Sequence, residues 1–402
     1  MPSQLGTPFS KLVLSQNVAI ISEFKLESGQ ILQQCPVAYK TWGKLNEDRD
    51  NVMVICHALT GSADVEDWWG PLFGPGRAFD TSKFFVFCAN SLGSPYGSAS
   101  PVTSDPSTNS LYGPDFPVCT IRDDVRLHRL VLDFLGIRNV AIVIGGSMGG
   151  MLCLEWAFEG RDFIKNIVPI ATSSRHSAWG ISWGEAQRQA IYSDPKYLDG
   201  LYPLDDPPIS GLAAARMQAL LTYRSRNSFE TRFGRNTPTY TPPITPTTSK
   251  PTANVSFSAQ SYLRYQGRKF VSRFDANCYI SMTLKMDTHD VARGRFSSIS
   301  TALSSLRQEA LVIGIESDGL FTFLEQEELA SHIPDSRLVK ITSPEGHDGF
   351  LLEFEQINLA IVKFLKEVLP NYMDGSADSE GTFIVSKTSI FGEAEVENIT
   401  EW

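Results

Sequence analysis

The 402 residues contain six cysteines, and none belongs to a C-x-x-C pair. Cys35, Cys56, Cys88, Cys119, Cys153 and Cys278 are scattered, several within segments patterned as strands or helices. This distribution argues for buried thiols in a reducing compartment rather than disulfides. The stretch Met1 to Asn17 lacks a basic region followed by an apolar one, so no secretory signal is expected and a cytoplasmic location is. With no such signal, Asn254-Val-Ser256 and Asn398-Ile-Thr400 read as accidental matches to the glycosylation pattern. No apolar run approaches the roughly 20 residues that span a bilayer, so no membrane partner is expected. A basic cluster is also missing. The 35 basic and 45 acidic residues leave a net charge of −10, which argues against nucleic acid as a partner. The absence of H-E-x-x-H speaks against metal-dependent hydrolysis, and no metal is expected. The absence of G-x-x-x-x-G-K-[ST] excludes a phosphate loop of that type.

What remains is ordinary globular composition, 42% hydrophobic and 20% charged, with one stretch that organises the rest. Val140-Ala-Ile-Val-Ile144 is a continuous apolar run of β-branched type, as expected of a strand buried on both faces. It leads into Gly145-Gly-Ser-Met-Gly149, which fits the G-x-S-x-G nucleophile elbow. Met151 to Phe158 then reads as a helix. In such an elbow only glycine tolerates the close approach of strand and helix. The turn lifts the Ser147 hydroxyl clear of the sheet. It also aims the Met148 N–H, at a helix N-terminus, where negative charge develops.

Around this stretch the pattern alternates. Asn17 to Phe24 and Gln30 to Tyr39 read as a hairpin about Ser28-Gly29. Asn51 to His57 and Phe84 to Asn90 read as buried strands, separated by a long loop from Ala58 to Asp80. Another loop runs from Ser91 to Pro117, and loops this long in a compact domain tend to be functional. Thr120 to Leu135 reads as a helix capped by Thr120, with Asp123 and Asp124 in its first turn. A strand over Asn166 to Thr172 follows. From residue 173 to about 300 the pattern turns helical: Glu185 to Tyr192, Gly211 to Arg224, Ser258 to Phe274 and Ala276 to Thr283. Within it, residues 236–254 are dominated by Thr and Pro and read as a disordered excursion. Strand patterning returns at Ala310 to Glu316 and Arg337 to Ile341, and a helix closes at Phe354 to Leu369. The expectation is one α/β core, residues 17–172 and 301–370, with a mostly parallel sheet. A helical lid is inserted at 173–300, and an acidic tail follows at 371–402.

A serine hydroxyl needs a base to take its proton, and the base needs an acid to orient it. In the α/β-hydrolase arrangement the chain order is Ser, then Asp or Glu, then His, each just past a strand end. Asp318 and His347 meet that rule. Glu316 is the runner-up acid, but it is expected within the strand. A second oxyanion donor should follow the early strand, in His57-Ala-Leu-Thr-Gly61, and the N–H of Leu59 or Thr60 is the candidate beside Met148. His57 is expected to shape that loop rather than react.

His57-Ala-Leu-Thr-Gly61, Trp68-Trp-Gly-Pro71, Asn90-Ser-Leu-Gly-Ser-Pro-Tyr-Gly-Ser98, Thr120-Ile-Arg-Asp-Asp124, Gly145-Gly-Ser-Met-Gly-Gly150 and Gly346-His-Asp348 together resemble the homoserine O-acetyltransferase family, in its fungal form. The resemblance covers roughly Phe24 to Leu369. It implies an α/β-hydrolase fold with a helical lid, usually as a homodimer. It also implies a ping-pong reaction of methionine biosynthesis, with acetyl-CoA as co-substrate and no bound cofactor. Ser147 would take the acetyl group, with His347 as base and Asp318 as its orienter, and L-homoserine would accept it. Two more residues are implied by motif: Arg216, as the fork for the substrate carboxylate, and Asp348, as the carboxylate for the substrate amine. The Thr/Pro excursion and the acidic tail depart from the family's compact form.

Alternatives stay open at this level. An acetyltransferase could act on serine or a deacetylcephalosporin, and some relatives use succinyl-CoA. A serine esterase or thioesterase would carry the same triad, and a scaffold that has lost catalysis would not need it.

Overall fold

The computed structural model describes residues 7–237 and 257–373. Nearly all of the 236–254 excursion and of the 371–402 tail lies outside these residues. The hairpin forms as β1 (Asn17–Lys25) and β2 (Ile31–Trp42), and β3 (Val52–Cys56) follows. The loop expected from Ala58 to Asp80 contains a short helix, α1 (Val65–Trp69), which places Trp69 in the core. After β4 (Phe85–Ala89) comes α2 (Ile121–Phe134). Thr120 caps it as expected, its hydroxyl accepting from the Asp123 N–H while the Asp123 carboxylate accepts from the Thr120 N–H. Next come β5 (Val140–Gly146), α3 (Met148–Ala157) and β6 (Asn166–Ile170).

Between β6 and the next strand the described chain is helical: α4 (Ala178–Tyr192), α5 (Ile209–Tyr223), α6 (Arg226–Arg232), α7 (Ser258–Val271), α8 (Ala276–Asp287) and α9 (Ile299–Ser304). The sheet then resumes with β7 (Glu309–Ile315), α10 (Phe323–His332) and β8 (Ser336–Ile341). It closes with α11 (Gly349–Leu352), α12 (Phe354–Val368) and α13 (Pro370–Met373). Sequence patterning missed α6, α9 and α10 and began α4 seven residues late. Gly180 and Gly184 obscure its apolar period, whereas the Ser177 side chain in fact caps the helix at the Gly180 N–H.

The strands run in the order β1-β2-β4-β3-β5-β6-β7-β8. β1 pairs antiparallel with β2, and β2 antiparallel with β4; every later pair is parallel. The sheet is covered on both faces, as a parallel sheet requires. Val52, Val54 and Cys56 point into one core with α2 and α3, while Met53 and Ile55 point into the other with α1 and α12. β5 lies central and all seven of its residues are buried, so the residue that follows it emerges mid-sheet at the carboxyl edge.

Candidate active site

Ser147 sits between β5 and α3 with φ 59° and ψ −125°, a conformation that L-residues rarely adopt. The surroundings over-determine it. Its N–H donates to the Ile170 carbonyl at 2.9 Å, and its own carbonyl accepts from the Thr172 hydroxyl at 2.8 Å. Gly149 makes the turn possible. A Cβ there would stand 2.1 Å from the Cys56 carbonyl oxygen, so any other residue would push α3 off β3. The Met148 N–H is at the start of α3, where the helix dipole favours negative charge.

Asp318 lies three residues beyond the end of β7, in a buried loop. One carboxylate oxygen accepts from the N–H groups of Leu320 (2.8 Å) and Phe321 (2.9 Å); the other lies 2.7 Å from His347 Nδ1. That contact puts the proton on Nδ1 and makes Nε2 the nitrogen able to accept one. Glu316 is excluded as the orienting acid. β7 ends at Ile315 rather than at Glu316, and the Glu316 side chain pairs with Lys340 at 3.1 Å on the surface.

His347 is buried among aromatic rings, with centroids at 5.1 Å (Phe350), 5.3 Å (Phe321) and 6.1 Å (Tyr223). Its loop is stitched to the Asp318 loop by Ser317, whose hydroxyl donates to the Ser343 carbonyl and accepts from the Gly346 N–H. Gly346 has φ 72°, and a Cβ on it would meet the Ser225 nitrogen at 2.5 Å. The histidine loop therefore docks directly on the end of α5. Ser147, His347 and Asp348 line one cleft, together with Leu59, Tyr223 and Leu320 and with residues of α4 and α8. Ser147 and His347 thus share one cavity.

Of the two candidate second oxyanion donors, Leu59 lines the cleft. Thr60 is buried behind it, and its carbonyl accepts from Arg273 Nη1 at 2.9 Å. His57 shapes this loop as expected. Its Nδ1 lies 2.8 Å from the Ala58 carbonyl and its Nε2 accepts from the Ser91 N–H at 3.0 Å. Burial lowers its pKa to about 4, so the ring stays neutral and keeps both bonds.

The two residues implied for substrate recognition are placed differently from each other. Asp348 lines the cleft, but one of its oxygens lies 2.7 Å from Arg224 Nε. Arg216, 2% exposed, is set back from the cleft wall: its guanidinium stands 5.5 Å from the Tyr223 ring and 4.9 Å from the Phe270 ring. Tyr223 neighbours both this guanidinium and the His347 ring. Sequence reasoning missed two further buried arginines, Arg224 and Arg273. Arg224 also pairs with Glu345 of the histidine loop. Arg273 also donates to the Tyr96 hydroxyl at 2.8 Å. An arginine at a helix end carries no local signal of what it will touch. Among the described residues no group of three or more His, Cys, Asp or Glu could hold a metal ion, and no helix is long and apolar enough to cross a membrane.

An elbow serine, a buried Asp–His pair at the carboxyl edge of a mostly parallel sheet, and a helical cap define an α/β hydrolase, and residues 51–354 match the family model for that fold. Homoserine O-acetyltransferase of Emericella nidulans is 54% identical over 476 residues, covering 100% of this chain and 97% of that protein. The chain belongs to the homoserine O-acetyltransferase family. Among solved structures, homoserine O-acetyltransferase from Bacillus anthracis matches with a TM-score of 0.78 at 25% identity, covering 87% of this chain and 97% of that one. Esterase E22 matches with a TM-score of 0.77 at 25% identity, covering 87% and 99%.

Proposed function

We propose that the protein transfers the acetyl group of acetyl-CoA to the hydroxyl of L-homoserine through an acetyl-Ser147 intermediate. His347 Nε2 removes the Ser147 proton as Oγ attacks the thioester carbonyl. The tetrahedral oxyanion is held by the N–H groups of Met148 and Leu59. Collapse breaks the C–S bond, and the proton passes from His347 to the leaving thiolate. Homoserine then enters, His347 takes its hydroxyl proton as the acceptor oxygen attacks the acyl carbonyl, and collapse breaks the bond to Ser147 Oγ, which takes that proton back from His347. In this reading Asp348 faces the substrate ammonium, and Arg216 attracts the carboxylate across the Tyr223 ring. The proposal includes a homodimer, on the strength of the family resemblance, and a cytoplasmic location, in keeping with six cysteines that are all buried and unpaired.

The observation that carries this reading is the shared cleft of Ser147 and His347 beneath α4, α5 and α8, in a chain of this family. The cap covers the acyl-serine and limits the approach of water. Hydrolysis is the second reading, favoured by the likeness to esterase E22. Incubating the protein with acetyl-CoA, with and without L-homoserine, separates them. Thiol release that goes beyond one equivalent per enzyme only when homoserine is present, and that yields O-acetylhomoserine, supports the transferase. Release indifferent to homoserine identifies a thioesterase, and release with serine or a deacetylcephalosporin in its place identifies a sister transferase. Ser147→Ala should lower turnover on the order of 10⁴-fold or more with the fold unchanged. Retained turnover would remove Ser147 as the nucleophile.

A further inference from the structure

The strained backbone of Ser147 is gripped from the end of β6, and the grip is itself strained. Ala171, directly after that strand, has φ 45°, a left-handed value that residues other than glycine rarely adopt. Its N–H donates to the Ile313 carbonyl of β7 at 2.8 Å. On one side of Ala171, the Ile170 carbonyl accepts from the Ser147 N–H; on the other, the Thr172 hydroxyl donates to the Ser147 carbonyl. Gly150 permits this approach, since a Cβ there would stand 2.5 Å from Thr172 Cβ.

Thr172 is held in turn from α10. Gln326, fully buried, donates through Nε2 to the Thr172 carbonyl at 2.7 Å and to the Phe321 carbonyl at 3.3 Å. Phe321 is a residue whose N–H donates to the Asp318 carboxylate and whose ring stands 5.3 Å from that of His347. One amide therefore ties the segment that grips Ser147 to the loop that fixes Asp318.

The orientation of that amide is compelled, because the reverse would set Oε1 against two carbonyl oxygens. As placed, Oε1 is buried with no hydrogen-bond partner, beside Gly314 of β7, where a Cβ would stand 3.0 Å from it. A buried oxygen left unsatisfied carries a desolvation cost that an aliphatic side chain of similar size would avoid. The two bonds made by Nε2 offset that cost.

We propose that Thr172 and Gln326 are positioning residues for the acylation step. Thr172 keeps the Ser147 backbone in the conformation that presents Oγ to His347, and Gln326 sets that backbone against the Asp318–His347 pair. Neither side chain lines the cleft, so each acts through the residues it holds. The inference rests on the reading of Ser147 as nucleophile and His347 as its base.

The test follows the burst of p-nitrophenol as p-nitrophenyl acetate acylates Ser147 in the full-length protein. Thr172→Val removes the hydroxyl but leaves the Ser147 carbonyl paired with the Gly150 and Met151 N–H groups, so the elbow stays folded. This variant should acylate about five- to tenfold more slowly, the effect of one lost hydrogen bond. Thr172→Ser keeps the hydroxyl and should acylate close to the unaltered rate, and the homoserine KM should hold in both. Gln326→Leu should be slowed at least as far as Thr172→Val. Combining the two should cost less than the product of the single losses, since both act through the Thr172 main chain. Near-normal acylation by Thr172→Val overturns the proposal. So does Thr172→Ser slowed as far as Thr172→Val, or losses that multiply in full. If Gln326→Leu fails to fold, the two Thr172 variants decide alone. The ester reports on Ser147 whatever the natural donor is. Failure with acetyl-CoA only would therefore count against the functional reading, whereas absence of any acyl-Ser147 from the ester would sink both.

Discussion

Both oxygens of Asp318 are engaged, one by two backbone N–H groups and the other by His347 Nδ1. An amide in that place could accept with one atom only, and its NH₂ would face either the backbone donors or the imidazole N–H. Asp318→Asn should therefore favour the wrong tautomer and lower kcat on the order of 10⁴-fold, with little change in thermal midpoint. Paired kinetics and thermal unfolding check this, and near-normal kcat would mean that another group orients His347. At this scale the places of Ser147 and Asp318 were legible in the sequence, because each sits within three residues of a strand that its apolar run announces, whereas His347 follows β8, a short and little-buried strand, by six residues. The state of Asp348 was not. Its contact with Arg224 joins the histidine loop to the end of α5, and neither segment contains a hint of the other.

The elements show how the cap and the catalytic loops act together. Arg273, just past α7, donates to the Thr60 carbonyl and the Tyr96 hydroxyl, so the cap holds the loop that carries Leu59. Arg224, just past α5, holds the histidine loop through Glu345 and Asp348. Removing Arg273 leaves the Thr60 carbonyl buried without this donor and frees the oxyanion loop to move. Arg273→Met should lower kcat about a hundredfold, the low end of the range for loss of an oxyanion donor, with a smaller effect on the homoserine KM. Arg273→Lys should recover part of the loss. Rapid-quench measurement of Ser147 acylation checks this; an unchanged acylation rate in Arg273→Met would mean that the loop holds its geometry unaided. The helices that sequence patterning misjudged have local causes. Gly180 and Gly184 broke the apparent period of α4, and α1 is a single short turn of helix inside a segment rich in glycine.

Across the whole molecule, His57, His128, His176 and His289 are buried in different places, and burial lowers each to a pKa of about 4. The unfolded chain would protonate these rings near their ordinary value of 6.5, whereas the folded protein resists down to about 4. In that window the unfolded state binds more protons, so stability rises with pH and falls on acidification. The contribution is fully present above pH 6.5 and is lost progressively as pH drops towards 4. Thermal midpoints measured from pH 7 to pH 5 should fall steadily, and unfolding should take up protons over that range. A flat midpoint would mean that the four rings are not held neutral.

The succession of strands along the chain, the elbow, the capped helix before it and the switch to helices after β6 were set by the sequence, because alternation, apolar runs and glycine turns act over neighbouring residues. Only the tertiary structure decided which residues meet across the chain: Ser147 and His347 in one cleft, Arg224 against Asp348, Arg273 against Thr60, and α4 against α8 along the cleft. These contacts join residues up to some two hundred positions apart. They depend on how the cap seats on the sheet edge, a choice made by packing and buried charge that no local pattern records.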